Sequence, residues 1–334
     1  MRLVVANLDA EIEMARAATP GPHPAISPAA ARLIVRHAAH LRIFAGPADR
    51  LWVPGAGGSG LEVGERAEIL AWAETDSVAA LRSPDPDPDP DPDPDPDPDP
   101  DPDPDPDPDP DPDPGAWQRR LWQLHPDPAA ARRCNDRRFA FELAQERGWS
   151  LPGARVLTSL DDLPSQGIWI AKGLFSAAGR ERVRFSPADE QRPRLERLLS
   201  RFGALLLEPW VDRLLDLGCA GLVDATRIDV FPPHRLDSDP AGVFRAAIID
   251  DSGADIGEPS VLTAVRDAAH AAGEALAAAG YRGPFSVDAY RWRDRAGAVH
   301  LQRVSEINAR LTFGLVARAA AEREAGGGRF ELRL

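Results

Sequence analysis

The sequence predicts an α/β unit followed by a longer α+β unit, and three observations lead there. Short apolar runs alternate with a helical stretch over the first 82 residues. An Asp-Pro repeat fills residues 85–114. Beyond it, apolar runs follow one another in hairpin order around helical stretches. The expected boundaries are an N-terminal α/β unit over 1–82, the repeat tract over 83–116, and an α+β unit over 117–334. Within the last, a smaller sheet is expected at about 155–210 and a larger one at about 211–325.

In the first unit, "RLVVAN" and "LRIFAG" read as buried strands. Between them, "SPAAARLIVRHAAH" reads as a helix with Ser27 as N-cap and Pro28 in the first turn. Strand, helix, strand in that order predicts a parallel pair. In the repeat, proline removes every second backbone donor, each Asp is driven toward extended backbone, and like charges two residues apart repel. A solvated spacer of at most about 3.1 Å per residue is expected.

After the repeat, "CNDRRFAFELAQERGWSLPGARVL" offers Asn135 and Asp136 as N-caps, a helix ending at Gly148, and a strand. "GIWIAKGLFSAAGRERVRF" reads as a hairpin with Lys172 at its mouth, and "ALLLEPWVD" as a strand stopping at Glu208-Pro209. Leu262 to Ala279 reads as an amphipathic helix closed by Gly280. "GPFSVDAYRW", the turn "RDRAGA" and "VHLQRVSEINAR" read as an antiparallel pair.

Composition narrows the function classes. The chain is 43% hydrophobic, enough for sizeable cores. Its formal charge of −14 is misleading, because the repeat alone holds 15 aspartates and the remainder is close to neutral. No basic stretch interleaved with aromatics appears, which argues against a nucleic-acid partner. Two cysteines, Cys134 and Cys219, show no metal-ligand spacing and fit a reducing compartment. No apolar run approaches the roughly 18 to 20 residues that cross a bilayer, and the N-terminal apolar run is too short for a signal peptide. A cytoplasmic protein without a membrane partner is expected, and a homodimer is left open. The seven histidines are spread without ligand spacing and read as surface or core residues.

The chemistry concentrates in "SEINARL". Alternation in a strand puts Glu306, Asn308 and Arg310 on one face and Ile307, Ala309 and Leu311 on the other. With Asp288 on the neighbouring strand, Glu306 and Asn308 offer the oxygen ligands that magnesium, or manganese, prefers alongside nucleotide phosphates. A Glu between two ions can bridge them, with Asp and Asn each holding one.

The order of these pieces resembles the ATP-grasp superfamily of carboxylate ligases over about residues 130 to 320. The sequence runs from a lysine strand beside a Gly/Ser/Ala loop, through an apolar strand ending in Glu and a helix, to an Asp strand paired with an ExN strand. "FSVDAYRW…VSEINARL" is similar to the terminal metal-binding strands of the biotin carboxylase and amino-acid ligase branches. The resemblance implies an ATP-grasp fold with an N-terminal Rossmann-like unit, and ATP between two sheets. Lys172 would meet the α- and β-phosphates, and the loop with Ser176, Gly179 and Arg180 would close over them. Arg137, or Arg138, would occupy the position of a further phosphate-contacting lysine. Glu208 and the backbone of Trp210 and Val211 would face the adenine edge, and Asp216 or Asp212 the ribose. Arg310 or Arg291 would hold the carboxylate or the developing oxyanion. Ser286 stands where branches similar to D-alanine ligase carry an arginine.

The implied activity is Mg-ATP-dependent formation of an acyl phosphate from a small carboxylate, followed by transfer to an amine. A catalytically silent, ATP-binding relative is the alternative. "GAGGSG" (Gly55 to Gly60) has the spelling of a dinucleotide loop, but "LEVGERAEIL" after it does not open a helix at the third glycine.

Overall fold

The computed structural model describes residues 2–19, 27–54, 68–82, 115–175, 181–188, 190–239, 243–253, 256–324 and 329–334. The Asp-Pro repeat, the Gly55 to Gly60 run and the loop with Ser176, Gly179 and Arg180 lie outside the described residues.

The N-terminal unit contains β1 (Arg2–Val5), α1 (Ala10–Ala18), α2 (Pro28–Ala38), β2 (Arg50–Trp52), β3 (Glu68–Ala71) and α3 (Asp76–Arg82). β1 lies between β2 and β3 and pairs in parallel with both. Leu3, Val4 and Val5 are wholly buried, as suits a parallel strand covered on both faces. α2 starts as expected, with the Ser27 hydroxyl accepting from the Ala30 N–H at 3.2 Å.

"LRIFAG" is not a strand. Ala39–Phe44 forms a 3-10 helix that continues α2, and the parallel partner is β2 further on. Leu41 and Phe44 are three residues apart, one 3-10 turn, and both are buried. So short an apolar run carries no decisive periodicity.

A helical segment follows: α4 (Ala116–Leu121), α5 (Pro128–Asn135) and α6 (Arg137–Glu146). The cap of α6 is Asp136, whose carboxylate accepts from the Arg138 N–H at 2.9 Å. The smaller sheet holds β4 (Arg155–Leu157), β5 (Trp169–Gly173), β6 (Arg182–Phe185) and β7 (Leu205–Pro209), with α7 (Arg192–Phe202) between β6 and β7. Its order is β4-β7-β5-β6, antiparallel throughout. The Phe202 ring of α7 packs where a Cβ on Gly173 would stand, so this strand end needs glycine.

The larger sheet takes β8 (Asp212–Val223), β9 (Ile228–Val230), β10 (His234–Ser238), β11 (Phe244–Asp250), β12 (Gly283–Arg293), β13 (Val299–Asn308) and β14 (Arg329–Arg333). Its order is β13-β12-β8-β10-β11-β14, with β9 against β8. α8 (Pro259–Ala278) and α9 (Phe313–Arg323) pack on it, and α6 packs against β13. α8 begins three residues before the apolar periodicity does, because Pro259 occupies its first turn. Among the described residues, no helix is long and apolar enough to cross a membrane. Cys134 and Cys219 are buried free thiols, each pushed up by burial, to about 11 and about 12.

Candidate functional site

A cleft of about 980 Å³ opens between the smaller and the larger sheet, with α2 and Trp72 of the N-terminal unit at one end. Its floor is set by register. His234 pairs with Gly218, Gly218 with Asp288, and Asp288 with Glu306, so one transverse row crosses β10, β8, β12 and β13. Paired residues in a sheet share a face and stand about 5 Å apart. The neighbouring row is Ala220, Ser286 and Asn308. Asp288, Glu306 and Asn308 therefore converge as the alternation in "SEIN" predicts. A bulge between Asp288 and Tyr290 breaks the ladder beside the pair.

The two carboxylates differ in their partners. Glu306 Oε1 accepts from Arg137 Nη2 at 2.9 Å. The Asp288 carboxylate has neither hydrogen bond nor ion pair among the described residues. Burial, and then the facing Glu306 carboxylate, raise its pKa to about 7. Asn308 Oδ1 accepts from Arg310 Nη2 at 2.9 Å. Among the described residues, no group of three or more His, Cys, Asp or Glu side chains is set for a metal, and the third oxygen here is an amide. Two opposed carboxylates, one unpaired, with an amide oxygen beside them, fit a hard divalent cation.

The smaller sheet supplies cations from above. Lys172 and Arg182 are register partners on the hairpin, so both side chains lie on the cleft face. Lys172 is buried rather than solvated, and its ammonium pairs with the Glu208 carboxylate on β7. Burial lowers the Lys172 pKa, and Glu208 opposes that shift. Arg182 is lowered by burial and by the neighbouring cations Arg213 and Arg137. Arg137, at the start of α6, is no surface arginine. It donates to the Gly173 carbonyl of the smaller sheet and to Glu306 of the larger one.

Several residues differ from their expected placement. Arg291 lies off the cleft: it is on the other face of β12, reaching Glu258 at the start of α8 at 3.4 Å. The Glu208 carboxylate is engaged by Lys172. The Trp210 N–H donates to the Ile168 carbonyl at 2.8 Å, so it is not available to a ligand edge. Trp210 is 41% exposed and lines the cleft, with its ring under the Arg184 guanidinium. Val211 and Asp216 line the cleft too, and Asp216 pairs with Arg213 at 3.2 Å. Arg138 turns back onto its own cap, Asp136.

Sequence reasoning missed four contributors. Arg213 stacks on Tyr290, 3.7 Å from the ring centroid, and lines the cleft floor. Arg182 was legible from the hairpin register alone. Asn135 grips Ala309, donating to its carbonyl and accepting from its N–H at 3.0 Å each, and so fixes the end of β13. Glu11 of α1 is buried against Arg310, with Oε1 2.6 Å from Nε. Nothing in "AEIEMARAA" separates Glu11 from Glu13; burial does. Arg310 lies beyond β13, yet its guanidinium turns back to Asn308 and lies 5.3 Å from the Trp72 ring centroid.

No family model matches the chain, and no curated protein matches it. Solved structures do. An L-amino acid ligase from Bacillus licheniformis is 16% identical, with 60% of this chain and 47% of that chain covered and a TM-score of 0.42. An N5-carboxyaminoimidazole synthetase from Staphylococcus aureus complexed with ADP is 14% identical, with 54% and 46% covered and a TM-score of 0.40. A carboxyaminoimidazole ribonucleotide synthase from Aspergillus clavatus complexed with ATP is 13% identical, with 94% and 71% covered and a TM-score of 0.46. The chain spans about half the length of the first two of these structures. The chain's own architecture is α+β, with a cleft between a smaller and a larger antiparallel sheet.

Proposed function

We propose that the protein is a Mg-ATP-dependent ligase that activates a carboxylate as an acyl phosphate and passes the acyl group to an amine. One observation carries this: cations of the smaller sheet face, across a single cleft, two opposed carboxylates of the larger sheet, Glu306 held by Arg137 and Asp288 without a partner among the described residues. A polyphosphate with its divalent cation satisfies both walls at once. Lys172 is taken by Glu208 and Arg137 by Glu306, which leaves Asp288 without a cation among the described residues.

In this reading Lys172, Arg182 and Arg137 hold the phosphates, and Asp288, Glu306 and Asn308 hold magnesium. When bound, the ion neutralises phosphate charge and orients the γ-phosphoryl group. Trp210 and the Val211 N–H line the base edge, and Asp216 is the ribose contact, with the more exposed Asp212 beyond it. Arg310 keeps a second N–H on each terminal nitrogen beyond those given to Leu311 and Asn308, which suits it to a substrate carboxylate. A carboxylate oxygen attacks the γ-phosphorus as the bond to ADP breaks. The amine then attacks the acyl carbon, phosphate leaves, and the amine loses its proton. Positioning and charge neutralisation supply the rate.

The test is calorimetric titration of AMPPNP, with and without MgCl2, into the wild type and Glu306→Gln. Gln keeps an acceptor for Arg137. Magnesium-dependent binding that weakens at least tenfold in the variant is the expected result; equal affinity in both proteins removes Glu306 from the metal set. Nucleotide binding without ADP release across carboxylate and amine pairs would favour the silent relative.

A further inference from the structure

The far end of the cleft has different walls. Trp72, Phe313 and Phe244 form a continuous aromatic run, with centroids 4.9 Å apart for the first pair and 6.0 Å for the second. Leu33 and Ile34 of α2, with Val243, complete the wall. Leu33 is 47% and Val243 40% exposed. Apolar surface collected inside a cleft, rather than scattered over an outer face, is surface that a ligand covers.

Three polar groups at this end, His37, Asp239 and Glu11, are engaged or neutral. Burial lowers the His37 pKa, with His40 and Arg36 adding to the effect, so the ring is uncharged at neutral pH. Asp239 accepts from the Val243 N–H and pairs with Arg245. Glu11 is taken by Arg310. Arg310 stands at the boundary, between Asn308 and the Trp72 ring. A carboxylate held on its remaining N–H groups would sit beside Asn308, with the rest of that molecule along the aromatic run.

We infer that this end of the cleft is the subsite for the carboxylate substrate, and that the acid it takes carries a bulky apolar side chain rather than a polar or charged one. The inference rests on the ligase reading above and names the substrate class for it. Leu33 and Val243 act as specificity-determining walls, and Arg310 sets which end of the acid faces the phosphates.

The experiment is equilibrium dialysis of radiolabelled 3-phenylpropionate and succinate against the full chain, with and without saturating Mg-AMPPNP. Wild type, Leu33→Asp and Val243→Asp are compared; both substituted positions are exposed, so the fold tolerates the charge. Expected are at least tenfold tighter binding of 3-phenylpropionate than of succinate, and at least tenfold weakening in either variant. AMPPNP affinity should stay within twofold. Preference for succinate, no binding of 3-phenylpropionate, or affinity untouched by both substitutions overturns the inference. Absence of AMPPNP binding to the wild type overturns the ligase reading instead, and the nucleotide-free arm still decides the apolar subsite.

Discussion

His234 stands between two glycines, and the arrangement explains all three residues. A Cβ on Gly218 would lie 2.5 Å from its Nε2, and one on Gly314 would meet the same atom. The imidazole thereby occupies the seam where α9 meets the sheet. Gly314→Ala is expected to cost about 1–3 kcal/mol by overpacking, read as a shifted urea midpoint. His234→Ala should relieve most of that penalty, and purely additive effects in the double-mutant cycle would show that the ring is not the obstacle. Burial, helped by the Arg318 charge, lowers the His234 pKa to about 3 from its usual 6.5. The folded state keeps it neutral while the unfolded chain takes up a proton first. Stability from this residue is therefore complete above about pH 6.5 and is lost as pH falls toward 3. Urea unfolding at stepped pH should show that loss in the wild type and a flatter profile in His234→Gln.

At the scale of elements, local signals were read where they were local. The caps of α2 and α6, the hairpin of β5 and β6, and the pairing of β12 with β13 all follow from alternation, turn residues and capping chemistry within a few positions. The 3-10 helix at Ala39–Phe44 did not, because its two core residues satisfy strand and helix patterns alike. α2 also shows that a correctly read helix is not necessarily a core helix. It buries only Ala38, and its apolar Leu33 faces the cleft. Ser27→Ala should cost about 1 kcal/mol of α2 stability. That loss is expected as faster hydrogen exchange of the α2 amides with little change in the global urea midpoint, since so lightly packed a helix opens locally. A matching fall in global stability would mean that α2 unfolds with the core.

At the scale of the whole molecule, two arginines join the parts. Arg137 bonds the smaller sheet at Gly173 and the larger at Glu306. Arg310 joins Glu11 and Trp72 of the N-terminal unit to Asn308. Both sit beside the carboxylate row, so the same contacts that hold the parts together also shape the cleft. Glu11→Ala leaves the Arg310 charge with 12% side-chain exposure and no carboxylate. Breaking a buried pair in this way costs about 3–5 kcal/mol. Chemical denaturation and limited proteolysis should both report it, and an unchanged midpoint would show that the N-terminal unit is held by packing alone.

The sequence by itself determined the class of fold, the polar row of Glu306 and Asn308 with Asp288, and Lys172 on its hairpin. Each depends on period-two alternation or on turn chemistry, which are properties of neighbouring residues. Only the tertiary structure decided that Arg291 leaves the site for Glu258, that Glu208 serves Lys172, and that Arg213 and Glu11 enter it. Those outcomes turn on which face a strand presents and which of several like charges becomes buried. Both are settled by contacts between residues far apart in the chain, where burial makes a carboxylate or a guanidinium take the partner within reach.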